Sequence, residues 1–423
     1  MNETVRELAP ARRSGKPFGI TSVCSAHPLV LRSALRRAAR DGGDVLIEAT
    51  CNQVNHLGGY TGMTPEAFIQ LVGDIASKEG LDRAQIIFGG DHLGPNPWQK
   101  EHAEKAMAKA EAMVAAYIKA GFTKIHLDAS MGCAGEPAAL DDELIAARAA
   151  RLAKVAEQTA HETGAALPLY ILGTEVPVPG GADHALDELE PTSAAAARST
   201  IAIHRDVFAR EGLEDAFSRT IAFVVQPGVE FGSENVIAYR PEKAHALTAL
   251  LDDEPQFVFE AHSTDYQTVD ALSSLVRDGF PILKVGPGLT FALREALYGL
   301  DLIASELSKD YGYRSLAAAM EKIMLGDPSD WLGHYHGSRD ALRLQRHYSY
   351  SDRIRYYWGK AEAQAAVKHL EETLRGFSIP KTLLHQFLPQ LEERELETIS
   401  MAEIAVDAVD DILQKYNMAC RQN

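Results

Sequence analysis

Short runs of apolar, often β-branched residues recur along this chain. Each is followed by a longer segment in which apolar residues return every three or four positions, the helical period. The runs predict strands over residues 19–24, 45–50, 84–88, 124–128, 167–172, 221–225, 256–260 and 282–285. The periodic segments predict helices over 29–40, from Thr64 onward, and over 100–120, 141–163, 192–211, 241–251 and 266–278, with a last one starting near Thr290. Thr64 followed by Pro65 reads as an N-cap with proline at the first helical position. Eight strands alternating with eight helices are the pattern of parallel βαβ units. Eight such units close as a (β/α)₈ TIM barrel. An open doubly wound sheet is the alternative, but no G-x-G-x-x-G follows the first strand.

The rhythm stops near Asp301. Beyond it the chain reads as helices separated by aromatic and histidine-rich loops, such as Trp331-Leu-Gly-His-Tyr-His336 and Arg355-Tyr-Tyr-Trp358, and Ser400 with Glu403 forms a capping box for a final helix. The expected organisation is a flexible N-terminus over 1–16, an α/β barrel over 17–309 and a helical C-terminal domain over 310–423. His334, His336 and His347 lack a fixed metal-ligand spacing and read as solvated or interface residues.

Composition narrows the function classes. The 423 residues are 46% hydrophobic and carry a net charge of −17. A chain this acidic is a poor partner for nucleic acid or an anionic membrane, although one pocket can still be positive and take an anionic sugar. No run reaches the ~18 apolar residues of a membrane span. Cys24, Cys51, Cys133 and Cys420 form no CxxC pair, which suits a reducing cytoplasm. Cys133 reads as a small packing residue. The aromatic C-terminal part makes a homo-oligomer interface plausible.

Barrel enzymes place their chemistry at the C-terminal ends of the strands. Here those ends carry Ser25 and His27; Glu48, Thr50, Asn52 and Asn55; Asp91 and His92; Asp128 and Ser130; Thr174 and Glu175; Gln226; Glu260 and His262; and Lys284. Eight converging polar ends are costly unless they are paired or bind something. His92 and His262, with a carboxylate from Asp91, Glu136, Glu175 or Glu260, suit zinc or manganese. Such a metal leaves a position open to polarise a substrate carbonyl or hydroxyl, and Asp91 beside it can move a proton. This set suits aldol chemistry on a ketose. Glu48 reads equally as a structural partner of Lys284 and as a substrate ligand, whereas His126 reads as a satisfied structural histidine. The glycine-rich loop 55–62 reads as a lid. No G-x-x-x-x-G-K-[ST] is present to support phosphoryl transfer.

Asn52-Gln-Val-Asn55, Gly58-Gly-Tyr-Thr-Gly-Met63, Gly89-Gly-Asp-His-Leu-Gly-Pro-Asn-Pro-Trp98, His126-Leu-Asp-Ala-Ser130, Glu175-Val-Pro-Val-Pro-Gly-Gly181 and Glu260-Ala-His-Ser-Thr-Asp265 together resemble the GatZ/KbaZ subunit family of class II D-tagatose-1,6-bisphosphate aldolase. The resemblance runs over nearly the whole chain. It implies a barrel subunit that supports a separate catalytic class II aldolase subunit. Some members look instead like metal-dependent 4-epimerases of ketohexoses or ketohexuronates. The family has also carried the name tagatose-6-phosphate kinase. By distant similarity to the catalytic class II aldolases, Asp91 takes the proton-transfer role and His92 and His262 the metal, while Gln226 stands near the place of a third metal histidine. On this resemblance Asp91, Glu175 and Asp128 are expected to be catalytic. Asn52, Ser130, Gln226, Lys284 and Asp265 are expected to bind substrate, and His92, His262 and Glu136 to bind metal. Asp265 stands where those aldolases hold substrate phosphate, so the expected substrate is an unphosphorylated sugar or sugar acid.

Overall fold

The computed structural model describes residues 3–173, 189–375, 377–391 and 400–421. Eight parallel strands close into a barrel: β1 Ile20–Cys24, β2 Val45–Thr50, β3 Ile86–Leu93, β4 Lys124–Leu127, β5 Leu169–Gly173, β6 Thr220–Val224, β7 Val258–Ala261 and β8 Ile282–Val285. Closure is made by β1, which pairs with β2 on one side and with β8 on the other, Ser22 lying beside Leu46 and Lys284. The (β/α)₈ architecture is therefore the one the hydrophobic rhythm predicts. The largest departure lies in β3. Its expected start at 84 is a 3₁₀ turn capped by Asp82, and the strand runs on through the polar Asp91 and His92.

The barrel interior has two levels. At the N-terminal end it is apolar, with Leu46, Ile87, Leu169, Val258 and Ile282 packed together. The first residues of the chain fill the opening there: Glu3–Arg6 and Leu8–Arg13 are helical and bury Val5, Leu8 and Ala9 in that cluster. The expectation of a flexible 1–16 is corrected on this point. Val5, Leu8 and Ala9 stand at i, i+3 and i+4, a short apolar stripe hidden among charged neighbours. Toward the C-terminal end the inward positions become Glu48, Lys124, His126, Glu260 and Lys284, all buried.

The C-terminal segment does not separate as a whole from the barrel at residue 310. The helix Pro287–Leu307 follows β8, but the last helix, Met401–Cys420, packs against it, against Val269–Asp278 and against Pro28–Asp41, so this last helix fills the ring between the seventh strand's helix and the first. Ser400 caps it, as the sequence implies. Glu403 pairs with Arg32 and Arg36, Arg37 meets Asp410 at 2.7 Å, and the Gly19 amide donates to the Cys420 carbonyl at 2.9 Å. Only tertiary contact shows this assignment, since nothing in a helical period says which face of a barrel it will cover.

Among the described residues no helix is long and apolar enough to cross a membrane, and the four cysteines are free thiols.

Deleting residues 400–423 should remove the cooperative thermal transition, because it uncovers the apolar seam between the first and seventh ring helices. A truncated chain that melts cooperatively at the full-length temperature would show that the last helix is peripheral.

Candidate active site

The site is built on an irregularity in β3. Side chains alternate along a regular strand, so Asp91 and His92 should point to opposite faces. They do not: the β3–β4 register shifts between Gly90 and Leu93, and His92 takes φ 48°. A left-handed non-glycine residue at a bulge costs on the order of 1–3 kcal/mol and is typical of functional sites. Here it turns two consecutive polar side chains into one pocket. Gly89 makes the adjoining room, because a Cβ there would stand 2.3 Å from Oε1 of Glu48.

Below the mouth lies a continuous charge network. Lys124 Nζ meets Glu48 at 2.5 Å and Glu260 at 2.7 Å. Lys284 Nζ meets Glu48 at 3.0 Å and also contacts Asp91. Burial alone would push the Glu48 and Glu260 carboxyls up, but the two lysines override it and hold both below the usual carboxylate range. Asp91 is likewise lowered against its burial, by His92 and Lys284. Burial opposes charge on both lysines as well, yet their carboxylate partners hold them above the usual lysine value. Three ionised carboxylates thus face two ammonium groups, leaving an excess of negative charge where histidines converge.

Those histidines are His92, His126 and His262. With Asp91 they offer four ligand atoms within 4.8 Å of one another. Each ring is held through one nitrogen by an oxygen: His92 Nδ1 by Asp128 at 2.8 Å, His262 Nε2 by Glu260 at 2.9 Å and His126 Nε2 by the Gly173 carbonyl at 3.1 Å. For His92 and His262 this is how metal-ligating imidazoles are oriented, with the ligand role falling to Nε2 of the first and Nδ1 of the second. The His126 ring adds a second test. Burial lowers its pKa, which keeps it neutral, and its Nδ1 accepts the His92 amide at 3.2 Å. Nε2 must then carry the proton that goes to Gly173, so Nδ1 and Asp91 Oδ1, 3.0 Å apart, meet as two acceptors. The Lys284 ammonium, in contact with the same Asp91 oxygen, relieves that contact. The imidazoles of His92 and His262 with the Asp91 carboxylate suit zinc or manganese, so the residues present fit such an ion.

The expected site residues divide accordingly. Asp91, His92, His262, Lys284, Asn52 and Asp265 line one pocket. Asp128 holds His92, and Ser130 donates its hydroxyl to Asp128 at 2.6 Å, so both support the histidine from behind. Glu136 is not brought to the histidines: it pairs with Arg148 at 2.6 Å and accepts the Cys133 amide, a local turn that sequence spacing does not reveal. Gln226 is not among the residues that line this pocket, and its carbonyl oxygen accepts the Gly228 and Val229 amides. Glu175 and Thr174 lie outside the described residues. His126, read as a satisfied structural histidine, has both ring nitrogens engaged, Nε2 by the Gly173 carbonyl and Nδ1 by the His92 amide, and it stands beside the other two histidines. Lys124, Cys24, Arg355 and Tyr356 were not singled out as site residues; the last two arrive from a segment remote in sequence. His347 is buried in the C-terminal unit against Tyr298 and Glu321, away from this group.

A (β/α)₈ barrel with a histidine and carboxylate centre at the C-terminal mouth of its strands is the class of protein defined here. The chain belongs to the family described as "D-tagatose-1,6-bisphosphate aldolase subunit GatZ/KbaZ-like", whose model matches residues 5–421. It is 65% identical over 419 residues, 99% of each chain, to a protein of Agrobacterium fabrum (strain C58 / ATCC 33970) named D-tagatose 6-phosphate 4-epimerase. It is also similar to the crystal structure of a probable tagatose 6 phosphate kinase from Sinorhizobium meliloti 1021, with a TM-score of 0.87 and 56% identity, covering 95% of this chain and 100% of that one.

His92→Ala should abolish retention of a divalent metal after dialysis, and Asp128→Asn should weaken it about 10- to 100-fold by loosening the ring. Equal metal content in wild type and both variants would remove these histidines from the site. Asp265 gives a separate pH test. Burial pushes its carboxyl up to about 6 from 3.8, only partly offset by the Gly288 and Gly286 amides. Its contribution to stability is then greatest below pH ~4 and is lost as the pH rises through 6. Asp265→Asn keeps an acceptor for both amides, so it should melt above wild type at pH 8, and the gap should close toward pH 4. A gap independent of pH would contradict the assignment.

Proposed function

We propose that this chain is a metal-dependent 4-epimerase of a ketohexose 6-phosphate that works by retro-aldol cleavage and re-addition. The observation that carries the reading is the buried convergence of His92, His126, His262 and Asp91 at a pocket in the mouth of the barrel. The relative named D-tagatose 6-phosphate 4-epimerase supplies the substrate class, and it replaces the unphosphorylated sugar expected from Asp265.

The chemistry follows from the position of C4. In a 2-ketose, C4 is β to the carbonyl, so enolisation cannot invert it, but its hydroxyl makes the C3–C4 bond an aldol bond. Removal of the 4-hydroxyl proton breaks that bond and gives a three-carbon enediolate and a three-carbon aldehyde. Re-addition to the other face of the aldehyde forms the bond again with C4 inverted, and the proton returns. A divalent ion held by the histidines supplies Lewis acidity toward the carbonyl. Asp91, kept ionised by Lys284 and His92, is placed to take and return the hydroxyl proton. Asp128 and Glu260 fix the rings of His92 and His262. The loop bearing Tyr60 closes on Tyr356, the two rings 4.7 Å apart and nearly perpendicular, which shields the cleaved pair from water.

The family description favours a second reading, support of a partner aldolase. Its test is a rise in the activity or melting temperature of a class II tagatose-bisphosphate aldolase on mixing.

Metal-loaded protein should interconvert D-tagatose 6-phosphate and D-fructose 6-phosphate, with no deuterium entering C3 or C4 in heavy water. Asp91→Asn should lower kcat by about 10²- to 10⁴-fold. A metal-loaded wild type without this activity sinks the epimerase reading, and carbon-bound deuterium in the product sinks the retro-aldol route.

A further inference from the structure

We propose that Arg355, delivered by the C-terminal helical segment, binds the terminal oxyanion of the substrate, so that this segment sets specificity. The assignment rests on the epimerase reading for the identity of the sugar, but not for the presence of an anion site.

Three observations meet at this residue. Arg355 lies on the 3₁₀ turn Arg353–Tyr357 and lines the same pocket as His92, His262 and Lys284. Its guanidinium is held in place without being neutralised. Nη1 donates to the Ser351 and Asp352 carbonyls, and Nη2 donates to the Tyr356 hydroxyl at 2.8 Å. Among the described residues no carboxylate stands within ion-pair distance of it. Its neighbours differ: Arg294 is matched by Asp352 at 2.9 Å, and Arg346 by Glu321 at 2.5 Å. Asp352, the nearest acid in sequence, is thus committed elsewhere, and it takes a left-handed φ of 45° where the turn begins. A half-buried cation that lacks a carboxylate and faces a pocket is a site for an anion.

The third observation concerns the other place an anion could go. The helix Pro287–Leu307 begins at the mouth, and helix starts bind phosphate through their amides. Here Asp265 already occupies it, accepting the Gly286 amide at 3.0 Å and the Gly288 amide at 2.7 Å. The protein's own carboxylate fills the phosphate position that a class II aldolase resemblance would suggest. The substrate's anion must find another donor, and among the described residues Arg355 is the cation facing the same space without a carboxylate partner. Tyr60, reaching from the loop after β2 onto Tyr356, stands beside it.

A terminal phosphate and a terminal carboxylate share this chemistry. Calorimetry on the metal-loaded full chain with D-tagatose 6-phosphate, a ketohexuronate and D-tagatose separates them. Wild type should bind one of the anionic sugars at least tenfold more tightly than the neutral one, and that ligand names the source. Arg355→Gln should collapse the ratio by about 10- to 100-fold, the size of a lost charge-assisted hydrogen bond. Arg355→Lys, which keeps charge but not the planar fork, should fall between. An unchanged ratio in both variants, or equal weakening for all three sugars, overturns the proposal. If the variants lose anion discrimination while wild type shows no epimerisation, the reaction falls and the anion site stands. If epimerisation is present but Arg355→Gln leaves KM for the phosphorylated sugar unchanged, the site falls and the reaction stands.

Discussion

The structure depends on an unequal charge balance buried inside the barrel. Lys124 and Lys284 are shared among Glu48, Glu260 and Asp91, all nearly or wholly withdrawn from water. Desolvating that many charges is expensive unless every one is paired. Two ammonium groups cannot match three carboxylates, and the surplus falls beside three imidazoles. That surplus makes the centre hospitable to a divalent cation, and it explains why the neighbouring residues are so constrained. Gly89 lacks a side chain because Glu48 fills its space, and His92 adopts a left-handed backbone because only a bulge turns it inward beside Asp91.

The two levels of the interior divide the work. The apolar end, sealed by the first helices of the chain, resembles any hydrophobic core and stabilises the closed sheet. The polar end gives up that stabilisation for electrostatics. The supporting contacts follow a common pattern: a carboxylate or carbonyl fixes one nitrogen of each imidazole and so sets the orientation of the ring.

The C-terminal segment is coupled to this centre twice. Its last helix completes the ring around the barrel, and its 3₁₀ turn places Arg355 and Tyr356 over the mouth. One stretch of chain therefore joins the barrel wall to the residues that cover the pocket.

The sequence by itself determined the barrel. Eight apolar runs with helical segments between them have few other ways to bury their faces, and the strand ends marked Asp91, His92, Asn52, His262 and Lys284 as residues of the mouth. It also marked the Glu48–Lys284 pair, because both stand on inward strand positions. Tertiary structure decided the rest, for reasons of register and distance. Glu136 and Gln226 look like ligands in one dimension, but local turns capture them with Arg148 and with backbone amides. His126 reads as a satisfied structural histidine, and the closed barrel sets that ring 4.8 Å from His92 and 5.3 Å from His262. Arg355 follows His262 by almost a hundred positions, and no periodicity could bring it there; only the packing of the C-terminal segment across the mouth does.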